Sequence, residues 1–189
     1  MEKVDSKKTL TKMVNKCDNN IDAKTVNILF GPPSINTKDE IMVSSFLESK
    51  GKHIVCGGST ASLVSRYLKE DIIVSLNYES DDIPPIAKLE GVDLVTEGTM
   101  TISKVLEYTK KYLENILFYE KIKINEDGAT LIFKFLFENE IINFFVGKAI
   151  NPVHQLKDFP FNFEKKMNLI KELTNNLKKM GKEVKVDYY

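Results

Sequence analysis

The stretch His53-Ile54-Val55-Cys56-Gly57-Gly58-Ser59-Thr60-Ala61-Ser62-Leu63-Val64-Ser65-Arg66 decides how the chain is read. His53–Cys56 is a short apolar run of the kind a buried strand needs. Gly57-Gly58 supplies a turn. Ser59 or Thr60 can cap the helix that follows, with Ala61, Val64 and Leu68 along one side. A strand, a glycine turn and a helix N-terminus make a ready anion site. Free backbone N–H groups and the positive end of the helix dipole both point at whatever sits there. The two glycines let a ligand come close to the backbone. Arg66, two turns further on, is the sole arginine among 27 basic residues. Its side chain can lean back toward the turn, and its donor fork suits phosphate or carboxylate.

The flanking segments alternate between strand and helix patterns. Val26–Phe30 is an apolar run closed by Gly31-Pro32-Pro33. Thr37 to Lys50 follows helical spacing, with Met42, Phe46 and Leu47 apolar, Thr37 and Glu40 placed as a capping box, and Gly51 at the end. Ile72–Tyr78 reads as a third strand, Glu79–Glu90 as a loop around Pro84-Pro85, and Val92–Val95 as a strand. Ile102, Val105, Leu106, Thr109, Leu113 and Ile116 mark a helical stripe. Asn125–Gly128 is a turn, Ala129–Glu138 a helix and Ile141–Val146 a strand closed by Gly147. Asn151–Phe161 is a loop. Phe163, Met167, Ile170, Leu173, Leu177 and Met180 define a last helix, in which Lys165-Lys166 and Lys178-Lys179 read as a solvated face. Val184–Tyr188 is a final strand. The expected fold is α/β: an open, mostly parallel sheet with helices on both faces, Rossmann-like in its layering, with no strand order specified. Residues 25–189 form one such domain. Residues 1–24 are a polar tail or linker.

Composition narrows the function classes. Lys+Arg and Asp+Glu are both 27, so the net charge is zero and gives no global pull toward nucleic acid. No apolar run reaches the ~18 residues of a membrane span. The N-terminal residues lack a signal-peptide core, and the two cysteines, Cys17 and Cys56, do not suggest a disulfide framework. A cytoplasmic protein is expected, with neither nucleic acid nor membrane as partner; a homo-oligomer is compatible with the pattern.

In an open α/β sheet, ligands bind beyond the carboxyl ends of the strands. The candidate ligand-binding residues follow from that rule: Gly31, Pro32, Cys56, Gly57, Gly58, Ser59, Thr60, Arg66, Glu97 and Gly98 at strand ends, and Asn151 and His154 in the late loop. Gly31 and Gly147 can equally be ordinary turn glycines. Glu97 can contact a ribose hydroxyl or a metal, or cap the helix beginning near Thr99. Cys56 is either a thiol activated by the helix N-terminus or a small core residue. His53 reads as structural. There is no phosphate-loop lysine motif and no G-x-G-x-x-G fingerprint, so the glycine turn is not one of the named nucleotide loops. No His/Cys grouping has zinc spacing. No catalytic or metal-binding residue is assigned, and the cofactor is not specified.

Five runs in order carry a resemblance: Gly31-Pro32-Pro33; Lys52–Ala61 with Arg66; Ile83–Ala87; Gly91–Gly98; and Asn143–Gly147 with Asn151-Pro152 and His154-Gln155. Together they resemble the C-terminal region of bacterial stage II sporulation protein E-like serine/threonine phosphatases, over roughly residues 25–189. The resemblance implies a PPM-type phosphatase family, whose dimetal site lies in acidic motifs upstream of this region; Asp127-Gly128 is only an isolated dipeptide here. The expectation is therefore an accessory or regulatory domain that binds a small anionic ligand, a nucleotide or phosphometabolite, and serves a phosphatase catalytic domain. The alternatives are a hydrolase with its own site at the strand ends, using Cys56 or His154, and a protein-interaction module without a ligand.

Overall fold

A computed structural model describes residues 24–74, 86–149 and 163–189. The chain runs through strand β1 (Thr25–Phe30), a 3-10 turn (Asn36–Lys38), helix α1 (Asp39–Glu48), β2 (Lys52–Cys56), α2 (Gly58–Leu68), β3 (Ile73–Val74), β4 (Ala87–Leu89) and β5 (Val92–Thr96). It continues through α3 (Thr99–Glu114), α4 (Phe118–Ile122), α5 (Gly128–Glu138), β6 (Ile141–Val146), α6 (Phe163–Lys179) and β7 (Glu183–Tyr188). The strands form one sheet in the order β3-β4-β5-β2-β1-β6-β7. β5, β2, β1, β6 and β7 are parallel, while β3 and β4 add an antiparallel edge.

Side-chain alternation along the strands sorts the core into two layers. Val26, Ile28, Phe30, Ile54, Cys56, Leu94, Ile142, Phe144 and Val146 pack with α3, α5 and α6. Leu29, Val55, Val95 and Phe145 pack with Met42, Val43 and Phe46 of α1 and with Ala61, Leu63 and Val64 of α2. The expected α/β sandwich is therefore the observed one. Its strand order adds what periodicity does not encode. From β1 the chain moves outward through β2 to β5, then crosses back to β6 on the other side of β1. The switch point lies between β1 and β6, where this sheet type opens a crevice at the carboxyl edge.

One polar pair sits inside the sheet. Asn27 is fully buried at the centre of β1. Its Nδ2 donates to the carbonyls of Lys50 (3.0 Å) and Lys52 (3.3 Å), and its Oδ1 accepts from Asn143 Nδ2 at 2.9 Å. Asn27 and Asn143 are direct register partners.

Several local expectations need correction. Ala87–Leu89, read as loop, is a strand, because its backbone completes the antiparallel pairing with β5. The α3 stripe ends early. Leu113 and Ile116 are exposed, and the aromatic side of the helix (Tyr108, Tyr112) turns instead onto Phe118 of α4 and Phe133 of α5. The short helix α4 itself was not anticipated. Thr37 does not cap α1, whose N-cap is Lys38 without a side-chain bond. Neither Ser59 nor Thr60 caps α2, whose N-cap is Gly57. Of the expected strand Ile72–Tyr78, only Ile73–Val74 is seen as strand; its residues from 75 onward, the Pro84-Pro85 run, the tail 1–23 and the loop Asn151–Phe161 lie outside the described residues.

Candidate functional site

Parallel pairing brings the strand ends into one row. Phe30 of β1 lies opposite Cys56 of β2 and Val146 of β6, and Cys56 opposite Thr96 of β5. The next residues are Gly31, Gly57, Glu97 and Gly147, so the glycine-bearing ends do converge on one edge. Gly57 has φ of +109, a conformation that disfavours side chains, and its N–H donates to the Thr96 carbonyl at 2.9 Å. A Cβ on Gly98 would stand 3.2 Å from the Gly57 Cα, so these two backbones already touch. Around Gly58, by contrast, a Cβ would meet nothing within 4 Å. The approach to the first turn of α2 is open.

The N-termini of α2 and α3 on this edge are satisfied differently. Glu97 folds back onto α3, where its Oε2 accepts from the N–H groups of Met100 (3.1 Å) and Thr101 (3.3 Å). Of the two roles open to Glu97, helix capping is the one the geometry realises. The carboxylate occupies the place where an external anion would bind. No side chain caps α2. Thr60, 1% exposed, turns away from the helix end, and its Oγ1 accepts from the Gly31 N–H at 3.1 Å, tying β1 to α2. Ser59 is exposed.

The remaining expected site residues divide. Cys56 is buried, and burial pushes its thiol up to about 12, so it stays protonated at neutral pH despite the nearby helix end. It packs as a small core residue. Arg66 is exposed and lies along its own helix, with Nε donating to the Ser62 carbonyl at 3.4 Å, one turn from Gly58. Pro32 accepts from the Ala149 N–H at 3.1 Å, and its carbonyl stands so near Gly147 that no side chain fits there. His53, at the far end of β2, bonds the Phe46 carbonyl through Nε2 at 2.9 Å and meets the Phe46 ring edge-on, a structural role as expected. Asn151 and His154 lie outside the described residues.

One residue at this edge escaped the sequence reading. Lys166, read as solvated, is 6% exposed. Its Nζ donates to the Gly147 carbonyl at 2.5 Å and the Ala149 carbonyl at 3.2 Å, and lies 5.1 Å from the Phe30 ring centroid. Burial pulls its amine down to about 8. The signal was present in the sequence. Lys166 precedes Ile170, Leu173 and Leu177 by four, seven and eleven residues, on the stripe where all three are fully buried.

Among the described residues, no three His, Cys, Asp or Glu side chains come together as a metal site requires, and no helix is long and apolar enough to cross a membrane. An open groove of about 520 Å³ lies between α1 and the β6–β7 side of the sheet, from Asn143 to Tyr189. Its charged walls, Lys185 and Asp187, pair with each other at 2.8 Å, which leaves them less available to a ligand. Comparison with protein-family models, with curated proteins and with solved structures found no match.

Proposed function

We propose that the chain is a ligand-binding accessory domain, with a nucleotide or phosphorylated metabolite held by the first turn of α2 at the carboxyl edge of the sheet. The observation that carries this reading is the contrast between the starts of α2 and α3 on that edge. α3 is filled by its own carboxylate, whereas α2 has no side-chain cap and open space at Gly58. Orphan N–H groups at a helix start need an acceptor, and a phosphate supplies several together with favourable charge. Arg66, further along the same helix, adds positive charge. The link to a stage II sporulation protein E-like phosphatase system is part of the proposal and rests on the residue runs Gly31–Pro33, Lys52–Ala61 and Gly91–Gly98. A cysteine hydrolase is disfavoured by the buried, protonated Cys56.

A thermal-shift screen over nucleoside mono-, di- and triphosphates and sugar phosphates tests the reading. A ligand present at a hundred times its Kd stabilises by about 2.7 kcal/mol. For a chain of this size that corresponds to a rise of roughly 5–10 °C. The ligand found should lose affinity on Gly58→Val, with little change in the melting temperature of the free protein. A screen with no shift, or a ligand indifferent to Gly58→Val, overturns it and favours an interaction module.

A further inference from the structure

β7 closes the sheet at one end, and among the described residues no strand pairs with its far side. The backbone groups of a strand alternate in direction, which identifies the residues that face that side. The N–H of Glu183 donates to the Glu140 carbonyl and that of Tyr189 to the Val146 carbonyl, each at 2.9 Å, so the odd-numbered residues face β6. Val184, Val186 and Tyr188 therefore turn their N–H and C=O groups outward. Val184 and Val186 pack half-buried against the core on the α6 side, and Tyr188, next in the same alternation, is 44% exposed. Lys185 and Asp187 lie on the opposite face, in register with Asn143 and Phe145, and pair with each other at 2.8 Å. The strand is six residues long, contains no proline and pairs with β6 without a bulge, so its backbone carries none of the usual guards of an open edge.

We propose that β7 is a dimerisation edge, pairing antiparallel with β7 of a second copy of this chain about a two-fold axis at Val186, so that the two sheets become one. Such a contact is isologous, and a single strand supplies both halves. The charge pattern and the backbone pattern select the same register. With Val186 opposite the partner's Val186, Lys185 falls opposite the partner's Asp187 and Asp187 opposite the partner's Lys185. Both are cross-strand ion pairs on one face of the joined sheet. On the other face Val184 falls opposite the partner's Tyr188 and covers apolar surface that a single chain leaves open. The pairs made by Val184, Val186 and Tyr188 are then hydrogen-bonded ones, in which the outward groups exchange both N–H···O bonds. Moving the axis to Lys185 sets two lysines opposite each other and Glu183 opposite the partner's Asp187, and moving it to Asp187 opposes two aspartates. Moving it to Val184 places Val186 opposite the partner's Lys182, whose N–H already donates to the Leu177 carbonyl at 3.0 Å. The inference is independent of any ligand at α2.

Sedimentation velocity of the chain, from low micromolar to near-millimolar concentration, should show the concentration-dependent monomer–dimer equilibrium that a short edge contact gives. Val186→Pro removes an outward N–H that no bond within the single chain uses. It should leave the chain folded and weaken dimerisation about tenfold or more. Charge variants test the register without a proline. Lys185→Asp alone and Asp187→Lys alone should each weaken self-association about tenfold or more, because like charges then stand opposite each other. An equimolar mixture of those two variants should form a heterodimer about as tightly as the parent chain pairs with itself, since every opposed pair is again of unlike sign. A chain that stays monomeric at every concentration overturns the proposal. So does a dimer indifferent to Val186→Pro and to both charge variants, and so does a mixture that associates no better than either variant alone.

Discussion

Replacing Gly31 by Ala puts the switch point under a measurable load. Two costs are separable. At φ of +78 a non-glycine residue loses about 1–2 kcal/mol to backbone strain. The new methyl carbon would also fall 2.2 Å from Lys166 Nζ, so the amine must leave. Displacement is ordinarily cheap at the end of a flexible side chain. Here it is not, because the amine is buried and bonded to two carbonyls, and losing bonds of that kind costs about 1.5–3 kcal/mol. The sum is roughly 3–5 kcal/mol, or a fall in melting temperature on the order of 10 °C. The assay is a double-mutant cycle by urea unfolding, with Gly31→Ala introduced into the parent and into Lys166→Ala. In the second background only the strain remains, so the coupling should be about 1–3 kcal/mol. Equal costs of Gly31→Ala in both backgrounds would refute the contact between Gly31 and the amine.

Two further predictions concern the sheet's ends. Asp93 loses some ionisation to partial burial, but the Lys52 ammonium at 2.8 Å and the His53 N–H at 2.8 Å outweigh this and hold its carboxyl below the usual range. A depressed carboxyl stabilises above its unfolded pKa, near 3.9, and that contribution is lost as the pH falls through its folded value. Asp93→Asn should therefore lower the melting temperature at pH 7 and flatten its decline below about pH 4; an unchanged acid limb would count against the pairing. Cys56 should resist iodoacetamide at pH 8 in the native state and react on unfolding, read for its own peptide by mass spectrometry. Rapid native alkylation would contradict a thiol pushed up to about 12.

The layered fold was legible because its strands are continuous apolar runs and its helices carry clean stripes. Val26–Phe30, His53–Cys56 and Ile141–Val146 fall within or on the observed strands. The edge where the candidate residues gather was legible too, since glycines at the ends of parallel strands must share a side. The strand order was not, because it is set by which faces can be buried together rather than by any local pattern. β4 was missed because three residues after a proline pair carry no periodicity; pairing with β5 decides it. Lys166 was missed because a charged residue was taken as solvated on its type alone. Its helical phase with Ile170 and Leu173 says otherwise, and a lysine's long apolar stem can enter a core that its charge alone would avoid.

The amide pair of Asn27, which is buried, and Asn143, which is half-buried, has a consequence for how the chain avoids mispairing. β1 and β6 present nearly interchangeable apolar ladders, Val26-Ile28-Phe30 against Ile142-Phe144-Val146. A slip of one residue is forbidden, because it would invert every side chain. A slip of two would keep both faces apolar, and hydrophobicity alone would barely object. It would, however, set Asn27 beside Ile141 or Phe145 and leave the buried Asn27 amide oxygen without its mate, at a cost of about 1–3 kcal/mol. The amides thus act as a proofreading mark between two otherwise similar zippers. Only the true alignment brings Gly31 level with Gly147, so fidelity of pairing in the middle of the sheet sets the geometry of the crevice at its edge.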